Sequence, residues 1–263
     1  MARRVGEEGR AAERAIRRTR APFPRWLPRR LTALELLATL ARRRALAIKL
    51  GFPLVLVVPL VATSAPPFFA GMLLTVLVTL IGAVGTGVTV VRARGGGWLA
   101  RLAVLPLSPA RVGVELLLAS WLVDAVQGSL VIGLVLAWRQ PAPLVGLTCW
   151  LLVLAVLAIA NALGLALAAL TDHPGETMLG LAVLLAPLLF LAGLFTGVPA
   201  AGPRAWIAVV LPFTYLDQAF QLVLGGNPPS GAPPSFALAA AVTALVAIAS
   251  AAALGGAVLR REG

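Results

Sequence analysis

The chain has 263 residues, of which 60% are hydrophobic, 12% charged and 6% aromatic. Its mean hydropathy is +0.95, and an ordinary soluble domain carries about 25% charged residues. These values exclude a water-soluble globular protein and a disordered one. The apolar residues fall in runs of about twenty, the length of a bilayer-spanning helix. A membrane β-barrel would instead alternate polar and apolar residues in segments of about ten. The fold class is therefore an all-α integral membrane protein.

Formal net charge is +12, from 22 Lys and Arg against 10 Asp and Glu. Fourteen of the basic residues lie within positions 1–49; Arg92, Arg94, Arg101 and Arg111 form a second group, Arg260 and Arg261 a third, and Arg139 and Arg204 stand apart. Clustered basic residues mark the cytoplasmic face of a membrane protein, a simpler reading here than nucleic-acid binding. Cys149 and His173 are each the single residue of their type, so no disulfide within the chain and no Cys/His metal site is expected. Lys49 is the sole lysine, and no G-x-x-x-x-G-K-[ST] run occurs. The chain then has no P-loop for ATP, and no catalytic or metal-binding residue is assigned.

In chain order, residues 1–30 read as an Arg-rich cytoplasmic tail rather than a cleavable signal peptide. Residues 31–46 place Leu31, Leu34, Leu37, Ala38 and Ala41 on one helical face, followed by Arg42, Arg43 and Arg44. This predicts an amphipathic interfacial helix on anionic lipid. Residues 31–263 then form one membrane domain. Six spans are expected, at about 47–64, 69–91, 112–137, 144–170, 177–197 and 236–258. Residues 198–224 carry Pro199, Pro203 and Pro212 and cannot be one straight helix; a re-entrant pair of short helices is expected. With the N-terminus inside, six crossings return the C-terminus inside. Twenty of the 22 basic residues are then cytoplasmic. The acidic loop 171–176, with Asp172 and Glu176, runs against this assignment, but acidic residues contribute little to orientation.

Polar groups inside spans are costly and mark function or helix contacts. The third span carries Glu115, Asp124 and Gln127; the last two share a face. Glu115 reads equally as a solvated interfacial carboxylate, and Asp124 equally as a structural hydrogen-bonding group. Asn161 reads first as a contact between helices. Phe195, Pro212, Tyr215, Asp217, Gln218 and Gln221 lie around the re-entrant segment, lining a vestibule or facing water. The loop 92–111 is both basic and apolar, with Trp98, Leu99, Leu102, Leu105 and Leu107. Residues 98–105 suit a short amphipathic helix stopped by Pro106. Ser108 before Pro109 suits an N-cap followed by Pro at the first helical position.

Two motifs resemble those of ABC-2 type permeases, the membrane subunits of ATP-binding-cassette exporters. The first is Ala93-Arg94, Gly97, Leu99, Leu102 and Pro106-Leu107-Ser108 in the loop after the second span. The second runs Phe190-Leu191-Ala192-Gly193-Leu194-Phe195, Pro203-Arg204-Ala205-Trp206, Pro212-Phe213-Thr214-Tyr215 and Ala219-Phe220-Gln221. Ala93 stands where the family has Glu, and Gln221 where it has Arg.

The resemblance implies a type V exporter-like fold and a half-transporter that pairs with a second copy as a homodimer. It implies two cytoplasmic ABC ATPase subunits that hold ATP and Mg, with no cofactor on this chain. The coupling element would be Arg94, Gly97, Trp98, Leu99, Arg101, Leu102, Leu105, Pro106, Leu107 and Ser108, with Arg94 and Arg101 as its polar rim. The pathway or gate would include Glu115, Asp124, Gln127, Asn161, Phe195, Pro212, Tyr215, Asp217 and Gln218. The expected setting is the bacterial cell membrane, with lipid as a further partner and no nucleic acid. An apolar interior favours an amphipathic, drug-like or lipid-like cargo, and Asp124 a cationic one. Alternatives are a haem-exporter-type subunit, an ion-coupled secondary transporter using Asp124 and Glu115, and a membrane scaffold.

Overall fold

The computed structural model describes residues 32–33, 43–63, 65–99, 107–227 and 236–260. It contains eight principal helices among the described residues. They are α1 (Arg43–Ala62), α2 (Pro67–Gly95), α3 (Pro109–Arg139), α4 (Pro143–Ala168), α5 (Pro174–Leu191), α6 (Pro203–Val210), α7 (Pro212–Val223) and α8 (Phe236–Arg260).

Prolines set the starts. Six of these helices, α2 to α7, open on a proline, where the missing N–H costs nothing and φ is already helical. Ser108 caps α3 as its sequence suggests, accepting a hydrogen bond from the Arg111 amide at 3.4 Å. Glycines set two of the stops. After α5, Gly193 at φ +88° lets the Gly193 amide reach the Phe190 carbonyl and the Leu194 amide the Leu189 carbonyl. Gly225 and Gly226 repeat the arrangement after α7. Both are Schellman endings, which need a left-handed residue and so favour glycine.

Five helices, α2, α3, α4, α5 and α8, are long and apolar enough to cross a membrane. The shorter α1 has an apolar stretch from Leu46 to Ala62, and α6 and α7 are bent by 79° at Leu211. The expected broken segment at 198–224 is thus two short helices joined as an open, roughly right-angled hairpin. Span five ends at Leu191 rather than near 197, because Gly193 closes it, and α2 continues to Gly95 rather than ending near 91. Among the described residues α1 is continuous from Arg43, so Arg43 and Arg44 stand on the same helix as the first apolar stretch. The remainder of the expected interfacial helix lies outside the described residues, apart from 32–33.

Helix α4 is central and packs against α2, α3, α5, α7 and α8. Small residues bring the helices close. A Cβ on Gly164 of α4 would overlap the Ala83 carbonyl of α2, and one on Gly113 of α3 would overlap the Ala251 carbonyl of α8. Such small-residue seams substitute for the hydrophobic drive that lipid removes. Outward-facing Leu, Val and Ile side chains on α1, α3, α5 and α8 are exposed, as suits a bundle in hydrocarbon.

The seam predicts opposite outcomes for two glycines on α3. Gly113→Ala should lower stability by about 1–3 kcal/mol, the usual range for overpacking. Gly133→Ala has open space and should leave stability unchanged or raise it slightly. Thermal unfolding of the purified protein in detergent reads both; equal effects would contradict the packing.

Candidate functional site

The polar interior forms along one stripe of α2. Gly71, Thr75, Thr79, Gly82 and Thr86 recur at helical spacing, and all five are buried. Two polar clusters lie against this stripe, near Gly71 and near Gly85, about 21 Å apart at 1.5 Å per residue.

The cluster near Gly85 joins four helices. Asp124 of α3 is fully buried, and its Oδ1 lies 2.6 Å from Nζ of Lys49 of α1. Gly85 of α2 faces both groups: a Cβ there would stand 3.4 Å from the carboxylate and 3.6 Å from the ammonium. Next to it, Thr86 donates a hydrogen bond to Oδ1 of Asn161 of α4. The Asn161 amide in turn donates to the Leu157 carbonyl at 2.7 Å. Gln127, one turn beyond Asp124, is also buried. An isolated buried carboxylate is very unfavourable, and an adjacent ammonium largely neutralises it. Asp124, Gln127 and Asn161 were the polar residues singled out from the sequence. Lys49 was missed as their partner, although a lone lysine entering a span is itself a signal.

The cluster near Gly71 is built by α7. Asp217 is buried and accepts a 2.8 Å hydrogen bond from the Gln221 amide through Oδ2. The absence of a side chain at Gly71 admits both: a Cβ there would meet Gln221 Cγ at 3.0 Å and Asp217 Oδ1 at 3.1 Å. Gln218 is buried as well. These residues therefore face protein rather than open water. Tyr215 bridges the α6–α7 bend by donating to the Val209 carbonyl. Pro212 opens α7, and Phe195 is exposed in the turn after α5. Arg204 fastens the hairpin to the end of α5. Its guanidinium lies 4.4 Å from the Phe190 ring centroid and donates to the Phe190 carbonyl at 2.8 Å and to Thr196 Oγ1 at 2.5 Å.

The opposite end of α2 is basic. Arg94 donates to the Ala168 carbonyl at 2.9 Å and the Thr171 carbonyl at 2.8 Å, and lies 3.8 Å from the Asp172 carboxylate. It thus satisfies the C-terminus of α4, where a cation also complements the helix dipole. The acidic loop 171–176 stands at the same end as Arg92 and Arg94. Gly97, at φ +67°, turns the chain after α2. Leu99 is fully buried against residues of α2, α3 and α4, with Trp98 and Leu107 packed on the same cluster. Arg94 and Leu99 therefore face the bundle, whereas the resemblance implied a polar rim for Arg94 and an apolar docking contact for Leu99. Arg101, Leu102, Leu105 and Pro106 lie outside the described residues. Glu115 is paired with Arg111 at 2.7 Å within one turn of α3.

These features define a multi-pass helical membrane protein with a polar interior and one basic end. A sequence model of the ABC-2 type transporter family matches residues 31–224, and the chain belongs to that family. Its members are membrane components of ABC transporters and partner with ATP-binding subunits. No curated protein matches the chain.

Arg94 should contribute far more to stability than its acidic neighbour. Arg94→Ala should cost about 1.5–3 kcal/mol, the value of hydrogen bonds to a charged group. Asp172→Asn should cost about 0–1 kcal/mol, since Asp172 is exposed and the pair is long. Detergent thermal unfolding gives the comparison, and equal losses would show that the carbonyl contacts matter less than the ion pair.

Proposed function

We propose that this chain is the permease half of an ABC exporter. It carries an amphipathic, drug-like or lipid-like molecule out of the cytoplasm, driven by ATP hydrolysis on separate ATPase subunits. Two copies pair in the membrane, and each receives one ATPase at its basic end. In this reading six spans cross the bacterial cell membrane, both termini are cytoplasmic, and the α6–α7 hairpin lies at the outer face as a gate.

The observation that carries the reading is the anchoring of the 92–111 segment. Its start is held by Arg94 on the end of α4 and by Leu99 in the bundle, and its end by the Ser108 cap of α3. A loop fixed at both ends to α2, α3 and α4 transmits displacement to them as a lever. Residues 100–106 between the anchors supply the contact to the ATPase, Leu102 and Leu105 its apolar part and Arg101 its polar rim. ATP-driven approach of the two ATPases shifts the pair of loops and reopens the bundle outward.

The buried ion pair narrows the cargo class. Lys49 already answers the charge of Asp124, so that carboxylate is not an open receptor for a cation, and preference for cationic cargo is no part of this reading. An ion-coupled mechanism through Asp124 loses the same support.

Affinity purification in mild detergent, from cells expressing the neighbouring genes, tests the proposal. A stoichiometric P-loop ATPase should co-purify, and Leu102→Asp with Leu105→Asp should reduce its recovery at least tenfold while the permease remains folded. Recovery of a stable permease with no ATPase would overturn the reading.

A further inference from the structure

We propose that the Lys49–Asp124 ion pair is a latch that fastens α1 to α3 in this conformation and opens as the bundle changes state during transport. The inference rests on the exporter reading and assigns Lys49 a positioning role in its cycle.

Helix α1 is held by a narrow seam. Pro53, Val57 and Val61 are buried at four-residue spacing, and Lys49 continues the same row one turn earlier. Ile48, Phe52, Val55, Leu56 and Val58, on the remaining faces, are exposed. Leu46, Leu50, Leu54 and Leu60 flank this row and are half-buried, so the seam is narrow, and its ionic member sits in its first half. The packed residues secure the far half of α1; the ion pair secures the near half.

The pair is unequal in its surroundings. Asp124 is wholly enclosed by the bundle, while the Lys49 side chain is 32% exposed. The carboxylate is therefore fixed, and the ammonium is the part that can leave. Between the two halves of the seam, the helix is weakened. Pro53 lies inside α1 at this junction, removing a backbone hydrogen bond and favouring a bend. Gly51 has no neighbour that a Cβ would touch. The near half can swing about this region without the far half undocking.

Physical chemistry makes such a fastening two-state. In a dry seam the attraction is strong and the pair stays closed. Separating the charges without a substitute is prohibitive, because a bare carboxylate would remain buried. Water supplies the substitute only when the seam opens wide enough to hydrate both groups. Departure of α1 and hydration of the interior beside Gly85 therefore occur together. This ties the position of α1 to the opening of the pathway. Two leucines in place of the pair would pack as a dry seam and gain nothing from water.

Spin labels at Ile48→Cys and Leu122→Cys, both exposed, report the α1–α3 separation in a Cys149→Ala background. The permease–ATPase complex is placed in nanodiscs, with labelled chains diluted so that only distances within one chain are read. The nucleotide-free complex should show one short distance, shifting to a longer one when trapped with ATP and vanadate. Asp124→Asn should populate the longer distance without nucleotide, and the exchanged pair Lys49→Asp/Asp124→Lys should restore the short one. Lys49→Leu/Asp124→Leu should keep the short distance even when trapped. An unchanged distance on trapping the unmodified pair would overturn the latch, as would a double-leucine variant that shifts normally. Failure of the exporter reading is distinct, since no ATPase complex would then be recovered for labelling.

Discussion

A buried charge inside a hydrocarbon layer must be answered by the protein itself. Asp124 imposes that requirement, and Lys49 meets it from another helix. The arrangement of the four surrounding helices follows. Gly85 sets the α2 backbone alongside the two groups, and Asn161 and Thr86 link α4 to α2 beside them. Two further charged groups follow the same rule. Asp217 is met by Gln221 on its own helix, and Arg204 by carbonyl and hydroxyl oxygens at the end of α5. Irregular backbone at depth persists where protein covers it, as in the buried face of α7 against α2 and α4.

The requirement also separates the two ends of the bundle. At one end, Arg94 seals the end of α4 and Leu99 draws the chain back into the core. At the other, the α6–α7 hairpin rests on the start of α2, where Gly71 makes room for it. Helices α2 and α3 run the length of the bundle and connect the basic end with the polar interior. ABC-2 permeases work with ATP-binding subunits, and the proposed docking segment joins these two helices.

Much of the architecture was legible because its signals are local. Apolar runs of about twenty residues gave the long helices, and Ser108 with Pro109 gave the cap and start of α3; the prolines that open the other helices went unused as starts. Asn161 was correctly read as a contact between helices. Tertiary pairing was less accessible. Lys49 and Asp124 are distant in sequence, and no periodicity connects them. Arg94 looked like a rim residue and Leu99 like part of a docking face because their loop is basic and apolar; the end of α4 claims one and the core the other. The fifth span was extended too far, since its closure depends on Gly193 adopting a left-handed conformation rather than on hydropathy. The stripe from Gly71 to Thr86 was present in the spacing but hidden within a strongly apolar run.

The central claim is that one end of this bundle, holding Arg94 and the 171–176 loop, faces the cytoplasm, and the hairpin end faces out. Single-cysteine labelling tests it most directly, using Gly175→Cys and Ala201→Cys separately in a Cys149→Ala background. Both positions are exposed, at opposite ends. With a membrane-impermeant maleimide able to reach the outer face of the cell membrane, Ala201→Cys should react in intact cells. Gly175→Cys should react only after that membrane is opened. Labelling of Gly175→Cys in intact cells, or of both positions from the same side, would contradict the account.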